Sequence, residues 1–383
     1  MLRILHIDHA RDPGGAELDL ARVLASQTAW NAHVATSPLR TEHDLFQTGA
    51  GAPWTTHEIL SANKTGAATT RNPAKIAKFI YTTICDAIRI RKLVKGQDID
   101  VVHCNSTRSA LLGTLSTLGC RKVKTVVHLR DLITSEAIGR VGFTAMKLLA
   151  LPRADAIIAN SSFTRHAGEA HSHSGKTVVI PSSTPAVPPS TRAPSDYLTF
   201  GIIARVTPWK GQDLVVRAFL DAFPKEPHKL IIVGGPILSD SEYFYSIKAL
   251  ADSPSAAGRI HMMGHIRNVV DILGELDVGV QYSTRPEPLG QNVLQYLSVG
   301  IPVICSKEGG PTEWVTDGRN GLHVEPNSPH TLARAFKLLA TDQQLYSRLK
   351  RETSKVTVPT PDLTAARWLS VFSSTHHPIT TTK

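Results

Sequence analysis

One pattern repeats along the chain: a short run of branched apolar residues, a glycine or polar turn, then apolar side chains three and four residues apart. Residues 2–7 form the first run, Gly14-Gly15-Ala16-Glu17 the turn, and Leu18, Leu20, Ala21, Val23 and Leu24 the helical face. Further strand-like runs lie at 101–103, 124–131, 155–159, 178–180, 198–204, 230–233, 260–264, 277–281 and 303–305. Strands alternating with helices predict an α/β chain of doubly wound parallel sheets. Residues 71–95 read as a helix with Ile76, Phe79, Ile80, Ile84, Ala87 and Ile88 on one face. Its remaining positions include Arg71, Lys75, Lys78, Arg89, Arg91, Lys92 and Lys95 against one acid, Asp86. Such a helix packs its apolar face and solvates its basic one, or lies on an anionic membrane surface.

A proline-dense, aperiodic stretch, 182–196, breaks the pattern and reads as an interdomain linker. It separates a first domain, 1–181, from a second, 197–352, as expected for 383 residues, more than one core usually covers. Residues 329–340 and 343–351 read as helices, 361–373 as a last helix, and 374–383 as a disordered tail.

The densest chemistry lies at 282–314. Glu287 stands in a loop, Gly290 opens a helix over 291–299, Gly300-Ile301-Pro302 ends it, and Gly309-Gly310-Pro311 opens the next. A helix N-terminus at a sheet's open edge carries partial positive charge and amide donors, which suits a phosphorylated ligand. Arg205 and Lys210 follow the strand at 198–204 and can neutralise a diphosphate without a metal. In the first domain Gly15 permits close backbone approach, although no G-x-G-x-x-G fingerprint is present. His128, Arg130 and Asp131 sit at the carboxyl end of a strand, where open α/β sheets bind ligands. Asp98-Ile99-Asp100 reads as a strand-entry turn, and His171 and His173 as a solvated loop.

Composition narrows the choices. A net charge of +10 favours anionic partners, but 6% aromatics without basic–aromatic interleaving argues against nucleic acid. The N-terminal apolar stretch is too short for a signal peptide, and no run is long enough to span a bilayer. Cys85, Cys104, Cys120 and Cys305 show no metal spacing and read as reduced thiols of a cytoplasmic protein.

GGAE, ARVTPWKG and EPLGQNVLQYLSVGIPVICSKEGGPTEWVTDGRNGLHVEP together resemble the family 4 glycosyltransferases, retaining enzymes of the GT-B fold. The resemblance implies two Rossmann-like domains facing a cleft, with acceptor on the first and nucleotide sugar on the second. It also implies a final helix that crosses back to the first domain. Glu287 matches the first glutamate of the Glu-x7-Glu motif, which contacts the donor sugar. The amides at Leu289, Gly290 and Gln291 match the loop that holds sugar and phosphate. Arg205 and Lys210 match the diphosphate pair, Gly15 the glycine-rich loop, and His128 the histidine near the reaction centre. Arg130 and Asp131 remain acceptor-side candidates.

Two positions depart from the pattern. Gln295 stands where the second glutamate, on the ribose hydroxyls, is expected, and Pro181-Ser182-Ser183 replaces Pro-Asn-Gly. The implied activity is metal-independent transfer of a sugar from a nucleotide-diphosphate sugar to an acceptor hydroxyl, in polysaccharide or glycolipid assembly. A lipid-linked acceptor would place the protein at the inner face of a membrane. The alternatives are a GT-B binding or regulatory subunit, for which Gln295 argues, and a nucleotide-sugar 2-epimerase.

Overall fold

The computed structural model describes residues 1–383 except 11–13, 39–44, 47–51, 62–72, 170–173, 186, 188–194, 237–239, 267 and 377–383. The chain divides into two compact units, Met1–Ser183 with Pro359–Lys383, and Thr184–Val358.

The first unit runs β1 (Arg3–Ile7), α1 (Gly15–Ser26), β2 (Asn31–Thr36), β3 (Trp54–Glu58), α2 (Pro73–Gly96), β4 (Val101–Cys104) and α3 (Thr107–Thr117). It continues with β5 (Lys124–Leu129), α4 (Ser135–Ala145), α5 (Leu151–Arg153), β6 (Ala156–Ala159), α6 (Ser162–Glu169) and β7 (Thr177–Val179). All pairings are parallel, in the order β3-β2-β1-β4-β5-β6-β7. Every residue of β4 and β6 is buried, which is why these strands are continuous apolar runs rather than alternating ones. Strand order reverses between β1 and β4, and there the loops at the strands' carboxyl ends part. Ile90 and Val94 of α2, Ala110 and Leu112 of α3, and Met146 pack with Val102, Val127 and Leu129. Leu20 and Val23 of α1 pack with Ile4, Val126 and Ile158, joined by Trp368 and Phe372 from the far end of the chain.

The second unit runs β8 (Thr199–Ile203), α7 (Gln212–Ala222), β9 (Lys229–Val233), α8 (Ser241–Ala251), β10 (Ile260–Gly264) and α9 (Val270–Glu275). Then come β11 (Val278–Gln281), α10 (Gln291–Ser298), β12 (Val303–Ser306), β13 (Gly321–Val324), α11 (Pro329–Thr341) and α12 (Gln343–Thr353). Its six parallel strands are ordered β10-β9-β8-β11-β12-β13, with the reversal between β8 and β11. Helix α13 (Pro361–His376) groups with the first unit. Of the tail expected at 374–383, residues 374–376 are helical and the rest lie outside the described residues.

Several expectations change. The face of α2 turned to the core consists of Thr83, Asp86, Ala87, Ile90 and Val94, whereas Ile80, Ile84 and Ile88 are about half exposed. Asp86 faces inward because it accepts from Ser61 N and Oγ, at 3.0 and 2.6 Å, and that capture rotates the helix. Gly309-Gly310-Pro311 opens only a single 3-10 turn, Gly310–Glu313. Asp98 has a left-handed φ of 46° and Asp100 Oδ2 accepts Arg3 N at 2.8 Å, so this Asp-x-Asp is indeed a strand-entry turn. Arg71, His171 and His173 lie outside the described residues. Cys104 and Cys305 are buried and Cys85 and Cys120 half-buried, all as free thiols.

Candidate functional site

In the second unit two loops part at the β8/β11 reversal, and they carry Arg205, Lys210 and Glu287. After β8 the chain makes a 3-10 turn over Pro208–Lys210, closed by Lys210 N to Thr207 O at 2.9 Å. Gly211, at φ 65°, converts that turn into α7, and a Cβ there would stand 2.7 Å from Tyr282 O. Gln212 Nε2 donates to Arg205 O at 2.8 Å, and Thr284 N donates to Trp209 O at 2.8 Å, tying the two loops together.

Glu287 is held from both backbone and side chain. Gly310 N donates to its carbonyl at 2.8 Å, and Gly309, at φ 88°, passes so close that a Cβ would lie 2.4 Å from that oxygen. The paired glycines therefore let the chain cradle Glu287, a different task from the helix opening expected of them. A donor chain runs from the end of β11: Gln281 Nε2 to Ser283 Oγ at 2.9 Å, then Ser283 Oγ to Glu287 Oε2 at 2.6 Å. Lys210 Nζ meets the same oxygen at 2.5 Å. Residues 77 apart in sequence thus form a largely buried ion pair. Glu287 Oε1 has no hydrogen-bond donor among the described residues.

Burial pulls the Lys210 ammonium below its ordinary range, Glu287 opposes this, and Arg205 and Arg285 add to it. Arg285 and Trp209 were not singled out by sequence. Lys210 Nζ lies 4.1 Å and Arg285 Cζ 4.6 Å from the Trp209 ring centroid, so one indole braces two cations. Trp209 lies inside the ARVTPWKG motif and Arg285 two residues before EPLG, so nearness to the matching motifs was the available signal. Three cations facing one carboxylate leave a net positive site that fits an anion such as a diphosphate.

Leu289 is buried, and Gly290, at φ 78°, caps α10. Gln291 begins that helix, and Gln295 follows one turn on, only 6% exposed. No side-chain hydrogen bond ties the Gln295 amide to any described residue.

The first unit rearranges the other candidates. Gly15 is exposed at the first turn of α1, where Gly14 N donates to Glu17 Oε2 at 2.7 Å. Arg130, expected on the acceptor side, is instead a buried brace. It pairs with Asp19 at 2.7 Å, donates to Asn105 Oδ1 at 2.8 and 3.1 Å, and reaches Ser182 Oγ at 2.9 Å. Ser183 donates N–H and O–H to the other oxygen of Asp19, so the Ser182-Ser183 departure fits this lock. Asp131 is exposed.

His128 lies on its expected strand, but its side chain points into the sheet–helix layer and has no exposed surface. His6, His103 and His128 form a buried row, with Nδ1–Nδ1 at 2.9 Å and Nε2–Nδ1 at 3.2 Å, and Trp368 of α13 packs over it. Burial holds His128 well below its ordinary range, with Arg130 and His103 contributing. The strand's two-residue period turns it away from the open edge, and no local signal reports that α13 covers that face.

Asp8 was missed. It ends β1 beside the strand reversal, takes Ala10 N at 3.0 Å and Asn105 Nδ2 at 3.1 Å, and is 3% exposed. Burial, then Glu17, pushes its carboxyl up to about 7. Among the described residues no three His, Cys, Asp or Glu side chains gather as metal ligands.

The model for glycosyl transferases group 1 matches residues 184–356, and that for glycosyltransferase family 4 matches 18–184. Their junction coincides with the division between the units. A lipopolysaccharide core biosynthesis glycosyltransferase, LpsE of Rhizobium meliloti, is 32% identical over 113 residues, 30% of this chain and 33% of that protein. A D-inositol 3-phosphate glycosyltransferase of Stackebrandtia nassauensis is 28% identical over 165 residues, 41% of this chain and 37% of that protein. The matches therefore span about a third of these relatives. The fold is like that of Anabaena HepE, solved with UDP and glucose, at TM-score 0.78 and 21% identity over 98% of this chain and all of that one. Sucrose-phosphate synthase of Thermosynechococcus elongatus gives TM-score 0.74 at 19% identity, over 98% and 97%.

Proposed function

The chain belongs to the family 4, group 1 glycosyl transferases of GT-B type, and from that premise we propose that it moves a sugar from a nucleotide-diphosphate sugar to an acceptor hydroxyl, with retention and without a metal ion. The observation that carries this reading is the Lys210–Glu287 pair at the β8/β11 reversal, flanked by Arg205 and Arg285.

In the proposed cycle the donor diphosphate draws Lys210 from Glu287 and takes its charge from Lys210, Arg205 and Arg285. Glu287, freed of its cation but still held by Ser283, accepts from hydroxyls of the sugar. As the bond from the anomeric carbon to the diphosphate oxygen breaks, the electron pair stays on the phosphate. Negative charge grows beside cations already placed and partly desolvated, so little reorganisation is needed. The acceptor oxygen attacks from the same face and its proton passes to the departing diphosphate. Cations perform the charge stabilisation that a divalent metal supplies elsewhere.

The first unit is read as the acceptor side. Asp131 is accessible there, Asp8 is an acid poised near neutrality, and His128 and Arg130 position the strand ends from within, while Gly15, exposed at the first turn of α1, keeps its reading as the glycine of the donor-diphosphate loop. HepE with UDP and glucose makes UDP-glucose the first donor to try. The lipopolysaccharide-core relative supports a saccharide acceptor in polysaccharide or glycolipid assembly.

The test is turnover against a panel of UDP- and GDP-sugars, with and without EDTA, for wild type, Lys210→Ala and Glu287→Ala. Donor-dependent transfer that survives EDTA and falls at least ~100-fold in both variants is expected. Wild-type rates in both variants would sink the site assignment. Release of epimerised donor without acceptor would replace transfer by epimerisation.

A further inference from the structure

Three neighbouring strands of the first sheet each turn one histidine to the same face: His6 of β1, His103 of β4 and His128 of β5. None of the three has exposed surface. Trp30 fixes the direction in which the row is bonded. An indole N–H only donates, so Trp30 Nε1, 3.2 Å from His6 Nε2, makes that nitrogen an acceptor. Neutral His6 then carries its proton on Nδ1 and donates a hydrogen bond to His103 Nδ1 at 2.9 Å. His103 donates from Nε2 to His128 Nδ1 at 3.2 Å. The row ends on the N–H of His128 Nε2, buried and without a hydrogen-bond partner.

Each ring has one acceptor nitrogen, and each of those is already used. A second proton on any ring turns its acceptor into a donor and sets N–H against N–H. At His6 the clash is with the indole, at His103 with His6 Nδ1, and at His128 with His103 Nε2. No countercharge is at hand either. From β2 His33, and from the end of β5 Arg130, both oppose further positive charge on the rings. From α1, Asp19 is taken by Arg130 and Ser183, and Arg22 donates to Ser183 O at 3.2 Å. α13 closes the row with Trp368 and Phe372, whose ring centroids lie 4.9 to 6.4 Å from those of the histidines. Its Asp362 and Arg367 are exposed on the side away from the sheet.

An imidazolium formed here gains solvent most readily by lifting its cover. α13 contributes no strand to the sheet, so its departure breaks no ladder hydrogen bond, whereas β1, β4 and β5 are each paired on both sides. Their other face stays packed under α2 and α3. We propose that the histidine row is an acid-sensitive latch on α13: proton uptake breaks the row and frees Trp368, Phe372 and the helix that carries them, while the sheet remains folded. Linkage sets the direction. Burial holds all three rings below their ordinary 6.5, His6 at about 3, and release restores their affinity for protons. The latch is therefore closed above that ordinary value and loosens as pH falls below it. The proposal stands independently of the donor assignment.

The experiment is hydrogen exchange of the full chain between about pH 7 and about pH 5.5, corrected for the intrinsic pH dependence of amide exchange. Over that range each imidazole that regains its ordinary pKa multiplies the opening of α13 about eightfold, so three give several hundredfold. Amides of β1, β4 and β5 should keep their protection. The double variant His6→Gln with His103→Gln supplies an acceptor and a donor in the same sense but does not titrate. Its α13 should open only about eightfold more at the acid end, from His128 alone. Wild-type stability at about pH 8 would show that the variant folds; if it does not fold, comparing α13 with the strands in wild type decides alone. A wild-type rise below about fivefold overturns the proposal. So does equal loss of protection in the strands, which is acid unfolding of the whole unit. A double variant as acid-sensitive as wild type places the titrating group outside the row and overturns it too.

Discussion

Replacing Lys210 by Met tests the centre of the site most directly. Methionine keeps the stem against Trp209 but removes the ammonium that reaches Glu287 Oε2 at 2.5 Å. The two side chains are 15% and 10% exposed, far from an open surface pair. Exposed pairs contribute about 0–1 kcal/mol, whereas removing one partner of a buried pair costs about 3–5. Allowing for the residual exposure, Lys210→Met should cost the second unit about 2–4 kcal/mol, since Glu287 keeps only the Ser283 hydroxyl. Adding Glu287→Gln removes the stranded charge, so the double variant should recover much of that loss. Urea denaturation of wild type, both singles and the double at pH near 7 gives the coupling as a double-mutant cycle. UDP titration of the same proteins should show a loss of about 1.5–3 kcal/mol for Lys210→Met, a charged hydrogen bond to phosphate, or roughly ten- to 150-fold in Kd. A stability loss below about 0.5 kcal/mol with additive singles, or unchanged UDP affinity, would refute the reasoning.

Arg285→Ala should raise the donor KM several-fold and leave the acceptor KM alone; steady-state kinetics showing the reverse would remove Arg285 from the donor site. Gln295→Glu should tighten UDP binding by about 1 kcal/mol through a charged bond to the ribose, while lowering Tm because the position is 6% exposed; weaker binding would mean that the neutral amide is the fitted group. Asp8 has a folded pKa of about 7, above its ordinary 3.8. Between those values the native state keeps a proton that the unfolded chain has lost. Stability should therefore fall with rising pH across that window, by at most about 1.4 kcal/mol per unit, and level off above it. Asp8→Asn should flatten the profile, and matching urea profiles for the two proteins would discard the assignment.

Sequence by itself determined the alternation of strands and helices wherever a strand is an unbroken apolar run, as strands buried on both faces commonly are. AIIA in β6 and KLIIV in β9 are examples. It also located Glu287, Arg205 and Lys210, since their motifs are contiguous. Strands whose cores are shared with polar positions, NAHVAT in β2, WTTHE in β3 and GLHV in β13, carried too little pattern to be seen. Only the tertiary structure decided which partners meet. Parallel pairing of β8 with β11 brings Lys210 to Glu287 across 77 residues. α13, arriving from the other end of the chain, turns His128 from a rim residue into a core one. The capture of Asp86 by Ser61 rotates α2, so that the isoleucines read as core face water instead. Local periodicity follows from backbone geometry and is written residue by residue. Which face meets protein, ligand or solvent depends on segments distant in sequence, and no window of the chain contains both sides of such a contact.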